Sequence, residues 1–296
     1  MYARLLLPAI FAVSAAVCAP LAAAPCAPAL GAICAGGKAI SADEMLARLR
    51  AADIAILGER HDNPAHHEWQ AKLTSALAPG GLAFEMVPRA KEYAANMARL
   101  AGSDLSEALD WAGSGWPDWA MYAPIFAAAP DARIAGGAPA RDALRRAVGE
   151  GAKAAFGGDA ARYGLDRPLD GDILAAMVEE QNHAHCGALP EAMLPGMVEA
   201  QRLRDAAFAD AALRLLEAGR APVVLITGNG HARIDRGAPL YLGRAAPRAK
   251  VVSVGMIEIG DEGERGEGAP YDIVIHTAAH DRGDPCATLI QNRSKP

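Results

Sequence analysis

Ile54-Ala55-Ile56-Leu57-Gly58-Glu59-Arg60-His61-Asp62-Asn63-Pro64 is the stretch that decides the fold. Four aliphatic residues run straight into a glycine and then into charged and polar side chains. A short, continuous apolar run suits a strand buried on both faces, and such strands belong to parallel sheets covered by helices. Two later segments repeat the pattern. Leu82-Ala83-Phe84-Glu85-Met86-Val87 is closed by Pro88, and Pro222-Val223-Val224-Leu225-Ile226-Thr227 ends in Gly228. Residues 133–135 read as a weaker strand, closed by Gly136-Gly137. Segments 250–259 and 271–277 read as a final strand pair, joined by the acidic, glycine-rich stretch 260–268. Helical patterns cover 66–78, 90–101, 105–111, 119–129, 170–185 and 193–218. Strand alternating with helix predicts an α/β fold: a mostly parallel sheet flanked by helices on both faces, with a helical insertion at about 149–190.

The first residues stand apart from this pattern. Arg4 precedes an apolar run from Leu5 to Val17, and Leu21-Ala22-Ala23 fits a small-residue cleavage site. The run is short of the ~20 residues that span a bilayer, so residues 1–23 are expected to be a signal peptide. Cys18 offers the alternative of a lipid anchor, although Val17 before it is bulky for that processing. Residues 24–296 would then form a single exported, periplasmic domain. Without Arg4 the chain has 28 basic and 35 acidic residues, a formal charge of −7. That balance excludes a polyanionic partner such as nucleic acid, which needs a basic face. Four cysteines remain after the leader: Cys26, Cys34, Cys186 and Cys286. An even number in an exported chain favours disulfides, and four allow three pairings. The proximity of Cys26 to Cys34 favours pairing those two, which leaves Cys186 with Cys286. No C-x-x-C occurs, so a thiolate zinc site is not expected.

The polar residues fall at the ends of apolar strands. Glu59, Arg60 and His61 follow the first strand, Glu85 lies in the second, and Gly228-Asn229-Gly230-His231 follows the strand at 222–227. In an open parallel sheet, ligands bind outside the carboxyl ends of the strands. Taken singly, Glu59 with Arg60 reads as an ion pair, His61 as a helix cap and Gly228-Asn229-Gly230 as a tight turn. Together they predict a functional site built on two Gly-x-x-His turns, Gly58–His61 and Gly228–His231, because clustered titratable groups mark sites. His183 and His185 are expected at the surface beside Cys186. Trp111, Trp116, Trp119 and Tyr122 read as core aromatics or the wall of an apolar pocket. Gln201, Arg204 and Asp205 share one turn of a long helix. No G-x-S-x-G elbow, P-loop or dinucleotide fingerprint follows a strand.

Ile56-Leu57-Gly58-Glu59-Arg60-His61-Asp62-Asn63-Pro64-Ala65-His66-His67 resembles the opening motif of the ChaN-like haem-binding family. Phe84-Glu85-Met86, residues 116–128, His185-Cys186-Gly187, Glu199-Ala200-Gln201 with Arg204-Asp205, Gly228-Asn229-Gly230-His231 and Asp284-Pro285-Cys286 extend the likeness over about 40–286. The resemblance implies a wider group containing Tiki, TraB and erythromycin esterase-like proteins, and it implies two functions. One is a haem-binding protein of iron acquisition without catalysis, held as a homodimer and serving an outer-membrane uptake system. Its site would use Tyr122 as ligand, supported by His61 or His231, with Glu59, Arg60, Glu85 and Asn229 around them. The other is a metal-dependent hydrolase. There His61, His231, Glu59 and Glu85 would hold a divalent ion, one glutamate would act as general base, and Arg60 would steady developing charge. The chain departs from the family at Gly136-Gly137-Ala138-Pro139-Ala140-Arg141, where an asparagine-containing turn is expected.

Overall fold

A computed structural model describes residues 25–261, 270–284 and 286–287. The proposed leader, Cys18 and most of the acidic connection lie outside the described residues. In chain order the elements are β1 (Ile33–Ala35), β2 (Lys38–Ala39), α1 (Ala42–Arg50), β3 (Ile54–Glu59), α2 (Pro64–Leu77), β4 (Gly81–Pro88), α3 (Glu92–Ala101), α4 (Leu105–Leu109), α5 (Trp119–Ala127) and β5 (Arg133–Ala138). They continue with α6 (Arg141–Glu150), α7 (Ala152–Ala155), α8 (Gly171–Ala184), α9 (Leu194–Glu217), β6 (Val223–Gly228), α10 (Asn229–Ala232), α11 (Ala238–Ala245), β7 (Val251–Glu258) and β8 (Ile273–Thr277). One eight-stranded sheet has the order β2-β1-β8-β7-β3-β6-β4-β5. Every pairing from β8 to β5 is parallel; β1 adds antiparallel to β8 and to β2.

The apolar runs work as the sequence implies, because alternate residues feed two cores. Ile54, Ile56, Ala83, Val223 and Leu225 pack under the α6, α7, α9 and α11 side. Ala55, Leu57, Leu82, Phe84, Val224 and Ile226 pack under the α2 and α5 side. A strand covered on both faces has no polar side to spend, which is why β3 and β6 are buried at every position.

Three local features aim the chain at the carboxyl edge. Gly58 has no room for a side chain: a Cβ there would lie 2.6 Å from Asn229 Oδ1 and 2.9 Å from the Val254 carbonyl. Helix α2 starts sharply because Asn63 accepts a hydrogen bond from the Ala65 N–H and Pro64 takes the first turn. This corrects the reading of His61 as the cap. Finally, the β4–β5 register breaks after Phe84 and resumes at Pro88, so Glu85 lies where β4 parts from its neighbour. Both expected disulfides form, Cys26–Cys34 and Cys186–Cys286. Within 149–190 the chain carries α7 and α8, linked by turns, and α8 packs on α9.

Candidate functional site

Glu59 and Glu85 end up on opposite faces of the same sheet edge, and His61 reaches across between them. Glu59 turns toward α2 and α5, where it is buried. Its Oε1 lies 2.9 Å from His61 Nδ1 and accepts from the Tyr122 hydroxyl at 3.1 Å. Its Oε2 is 2.9 Å from His67 Nδ1. His67 in turn donates from Nε2 to the His61 carbonyl at 3.0 Å, holding the turn that carries His61. Burial raises the carboxyl pKa of Glu59, but the two imidazoles outweigh burial and hold it below the usual range.

Glu85 turns toward α9. Its Oε2 accepts from the Thr227 hydroxyl at 2.7 Å and the Gly228 N–H at 2.8 Å. Its Oε1 faces two imidazoles, His231 Nε2 at 3.5 Å and His61 Nε2 at 3.9 Å. Burial raises Glu85, but His231, His61 and the two hydrogen bonds outweigh burial and hold it below its ordinary value. Burial likewise pulls His61 down, yet Glu85, Glu59 and Asp62 push it up to about 9. At neutral pH His61 is therefore an imidazolium.

His231 repeats this arrangement from the other side. Its Nδ1 meets Asp205 Oδ1 at 2.6 Å, with the Gln201 amide nitrogen 3.1 Å away, and its ring edge packs on Phe208. Burial lowers His231, and Glu85 and Asp205 raise it above its ordinary value. Asp205 is itself pushed up to about 6, since burial outweighs His231. Each histidine thus has one ring nitrogen fixed by a carboxylate and the other turned toward Glu85, the orientation that carboxylate partners give ligating imidazoles.

Beside this array a cleft of about 460 Å³ opens between the end of β4, the turn before α5, the β5–α6 loop and α9. Met86, Leu109, Trp116, Leu144 and Phe208 form its apolar lining, Glu85 and His231 its polar end. Trp116 packs edge-on against His61 at 4.9 Å. Lys91, Arg141 and Arg204 also line it, and none of the three pairs with a described acidic residue.

Several expected site residues have other work. Tyr122 is fully buried, packed edge-on against His67 and tilted against Trp111, with its hydroxyl given to Glu59, so it cannot reach a ligand in the cleft. Arg60 pairs with Asp261 at 2.5 Å and Glu258 at 3.6 Å rather than with Glu59, which directs it away from the histidines. The Asn229 side chain bonds both the N–H and the carbonyl of Met256, clipping α10 to β7. Glu59 spends its oxygens on His61, His67 and Tyr122. His183 is exposed and His185 binds the Gln181 carbonyl, as surface histidines do. Asp205 and Gln201 join the site although nothing in the sequence ties their helix to the second histidine turn. The signal was their spacing, four apart on one face of α9.

The fold and this edge define an α/β protein with an imidazole–carboxylate site at the carboxyl ends of parallel strands. The profile of the family described as haem-binding uptake, Tiki superfamily, ChaN matches residues 45–242, and the chain belongs to that family. Among solved structures, that of cofacial haem binding to ChaN of Campylobacter jejuni superposes with a TM-score of 0.64. It is 22% identical and covers 83% of this chain and 96% of its own. The type III effector HopBA1 aligns at a TM-score of 0.43 and 14% identity over 80% of this chain and 93% of its own. A protein from Bacillus cereus gives 0.44 and 12% over 79% and 90%. No curated protein is significantly similar in sequence.

Proposed function

We propose that this protein is an exported haem-binding protein of haem and iron uptake, carrying its ligand in the cleft beside His231 without chemistry of its own. The observation that carries this reading is the cleft's lining: an apolar wall, an oriented imidazole at one end and three cations with no acidic partner among the described residues. Haem asks for each of these. Its macrocycle is flat and apolar, its propionates are anionic, and its iron accepts imidazole. The cleft's volume lies within the ~300–1,000 Å³ of ligand pockets. Lys91, Arg141 and Arg204 would take the propionates, and His231, or His61 at the rim, would supply the axial nitrogen. Coordination then displaces a proton from the imidazole, so affinity by this route rises with pH.

An open cleft covers one haem face. A second copy of the chain would cover the other, which supports a homodimer that forms with haem and hands it to or from an outer-membrane uptake system. Two disulfides suit an oxidising compartment, and hence the periplasm, free or anchored through Cys18. Among the described residues no helix is long and apolar enough to cross a membrane. The hydrolase reading has less support. His61, His231, Glu59 and Glu85 provide no three ligand atoms within 4.8 Å of one another; among the described residues one such trio exists, and it lies elsewhere.

A haem titration followed through the Soret band tests the proposal. A saturable shift, lost in His231→Ala or His61→Ala and weakened when Lys91, Arg141 and Arg204 are changed together to Gln, is the expected result. A protein that gives no saturable shift is not a haem carrier.

A further inference from the structure

The convergent trio lies at the other end of the sheet. The sulfurs of Cys26 and Cys34 and a ring nitrogen of His276 all lie within 4.8 Å of one another. Cys34 is in β1 and His276 in β8. The antiparallel register sets Cys34 opposite Val274, so His276, two residues on, shares its face as a diagonal neighbour. Cys34 and His276 are buried and Cys26 is half-buried.

In the oxidised chain the two sulfurs are bonded to each other. Backbone hydrogen bonds position these residues alongside that bond. Cys26 N–H donates to the Gly37 carbonyl, Gly31 N–H to the His276 carbonyl, and His276 N–H to the Ala32 carbonyl, each at 2.9 Å. Pairing of β1 with β2 and β8 closes the frame. Opening the disulfide would therefore leave two thiols and an imidazole facing one point, with their Cα atoms already held.

We propose that reduction of the Cys26–Cys34 disulfide converts this corner into a Cys₂His site for a thiophilic metal ion such as Zn²⁺, separate from the histidine edge. Two thiolates and an imidazole are a donor set that selects such ions. Bonds of about 2.3 Å to sulfur and 2.0 Å to nitrogen put ligand atoms roughly 3.5–3.8 Å apart around a tetrahedral ion. Small side-chain rotations reach that spacing from the present one, and solvent fills the fourth position.

The chemistry balances with a dithiol as reductant. One of its thiolates attacks the half-buried Cys26 sulfur, the Cys26–Cys34 bond breaks, and Cys34 leaves as a thiolate. The second thiolate of the reductant attacks the mixed disulfide and frees Cys26. Two electrons pass to the protein, and the reductant becomes a cyclic disulfide. Metal binding then requires both cysteines as thiolates and releases any protons they hold. The corner thus alternates between a covalent staple and a metal staple of the same strands.

Cobalt(II), added to the full chain with and without prior reduction by a phosphine, provides the test. The Cys18→Ser/Cys186→Ser/Cys286→Ser variant serves as background, so that Cys26 and Cys34 are its remaining cysteines. Thiolate-to-cobalt charge-transfer absorption reports this site, because the histidine edge contains no cysteine. We expect the band to saturate at one ion per reduced chain, to be absent from the oxidised chain, and to be quenched by zinc. His276→Gln should weaken the ion at least about tenfold, and Cys34→Ser should abolish the band. A reduced chain without the band overturns the proposal, as does His276→Gln titrating like the parent. The comparison of oxidised with reduced background chain needs no further substitution and holds even if His276→Gln or Cys34→Ser misfolds. Haem titration of the same samples reads the histidine edge independently.

Discussion

His61 carries its proton under the control of carboxylates on both sides of the sheet, and this makes the fold's stability pH-dependent. Its folded pKa of about 9 exceeds the ~6.5 of an unfolded chain. Its contribution is therefore complete below about pH 6.5 and is lost as pH rises through 9. His66 acts in the opposite direction. Buried, with Nδ1 accepting from the Arg60 N–H and Nε2 donating to Thr277 Oγ1, it is held neutral and pushed down to about 4. Unfolding lets His66 take a proton, so stability also falls as pH drops from about 6.5 toward 4. Urea midpoints measured across pH should pass through a maximum near neutrality. His61→Gln should flatten the alkaline limb and leave the acid limb in place. Tyr122→Phe addresses a different point. Glu59 loses one buried hydrogen bond, at a cost of about 1–3 kcal/mol in unfolding experiments, while haem affinity stays at the parent value, because the phenol does not face the cleft.

Elements set the limits of what the sequence could reveal. The carboxyl-edge site was legible because β3 and β6 open with four aliphatic residues and carry no charge until they end, so charge at that boundary had few explanations. Strands β1 and β2 escaped notice, being three and two residues long. Helix α6 escaped as well, since Arg141, Asp142, Arg145, Arg146 and Glu150 leave it a narrow apolar stripe. The partners of Arg60 and Asn229 were also out of reach: Glu258 and Met256 come from a strand about 200 and 30 residues away, and no local pattern encodes that pairing. Gly58 tests how tightly β3, α10 and β7 interlock. Gly58→Ala should lower stability by about 1–3 kcal/mol through overpacking, read from denaturant midpoints, with the loss reaching haem binding through displaced Asn229 and α10. Gly228→Ala is milder. Its Cβ would meet His61 Nε2 at 3.1 Å, so the imidazole must tilt, and binding should weaken more than stability.

Across the whole molecule the two disulfides close loops of very different size, with sequence separations of 8 and 100. On the loop-entropy account the longer link should be worth about 2 kcal/mol more than the shorter. Comparing Cys26→Ala/Cys34→Ala with Cys186→Ala/Cys286→Ala by chemical denaturation checks that ordering. The longer link has a second consequence. It makes a covalent circle of everything between Cys186 and Cys286, including Asp205, His231 and strands β6 to β8, with Glu59 and Glu85 outside it. A single peptide cut anywhere on the circle opens it without releasing a fragment, so a nicked protein should run intact on a gel until a reductant is added. Proteolysis of that third of the chain becomes a two-key event, needing both a protease and an electron donor.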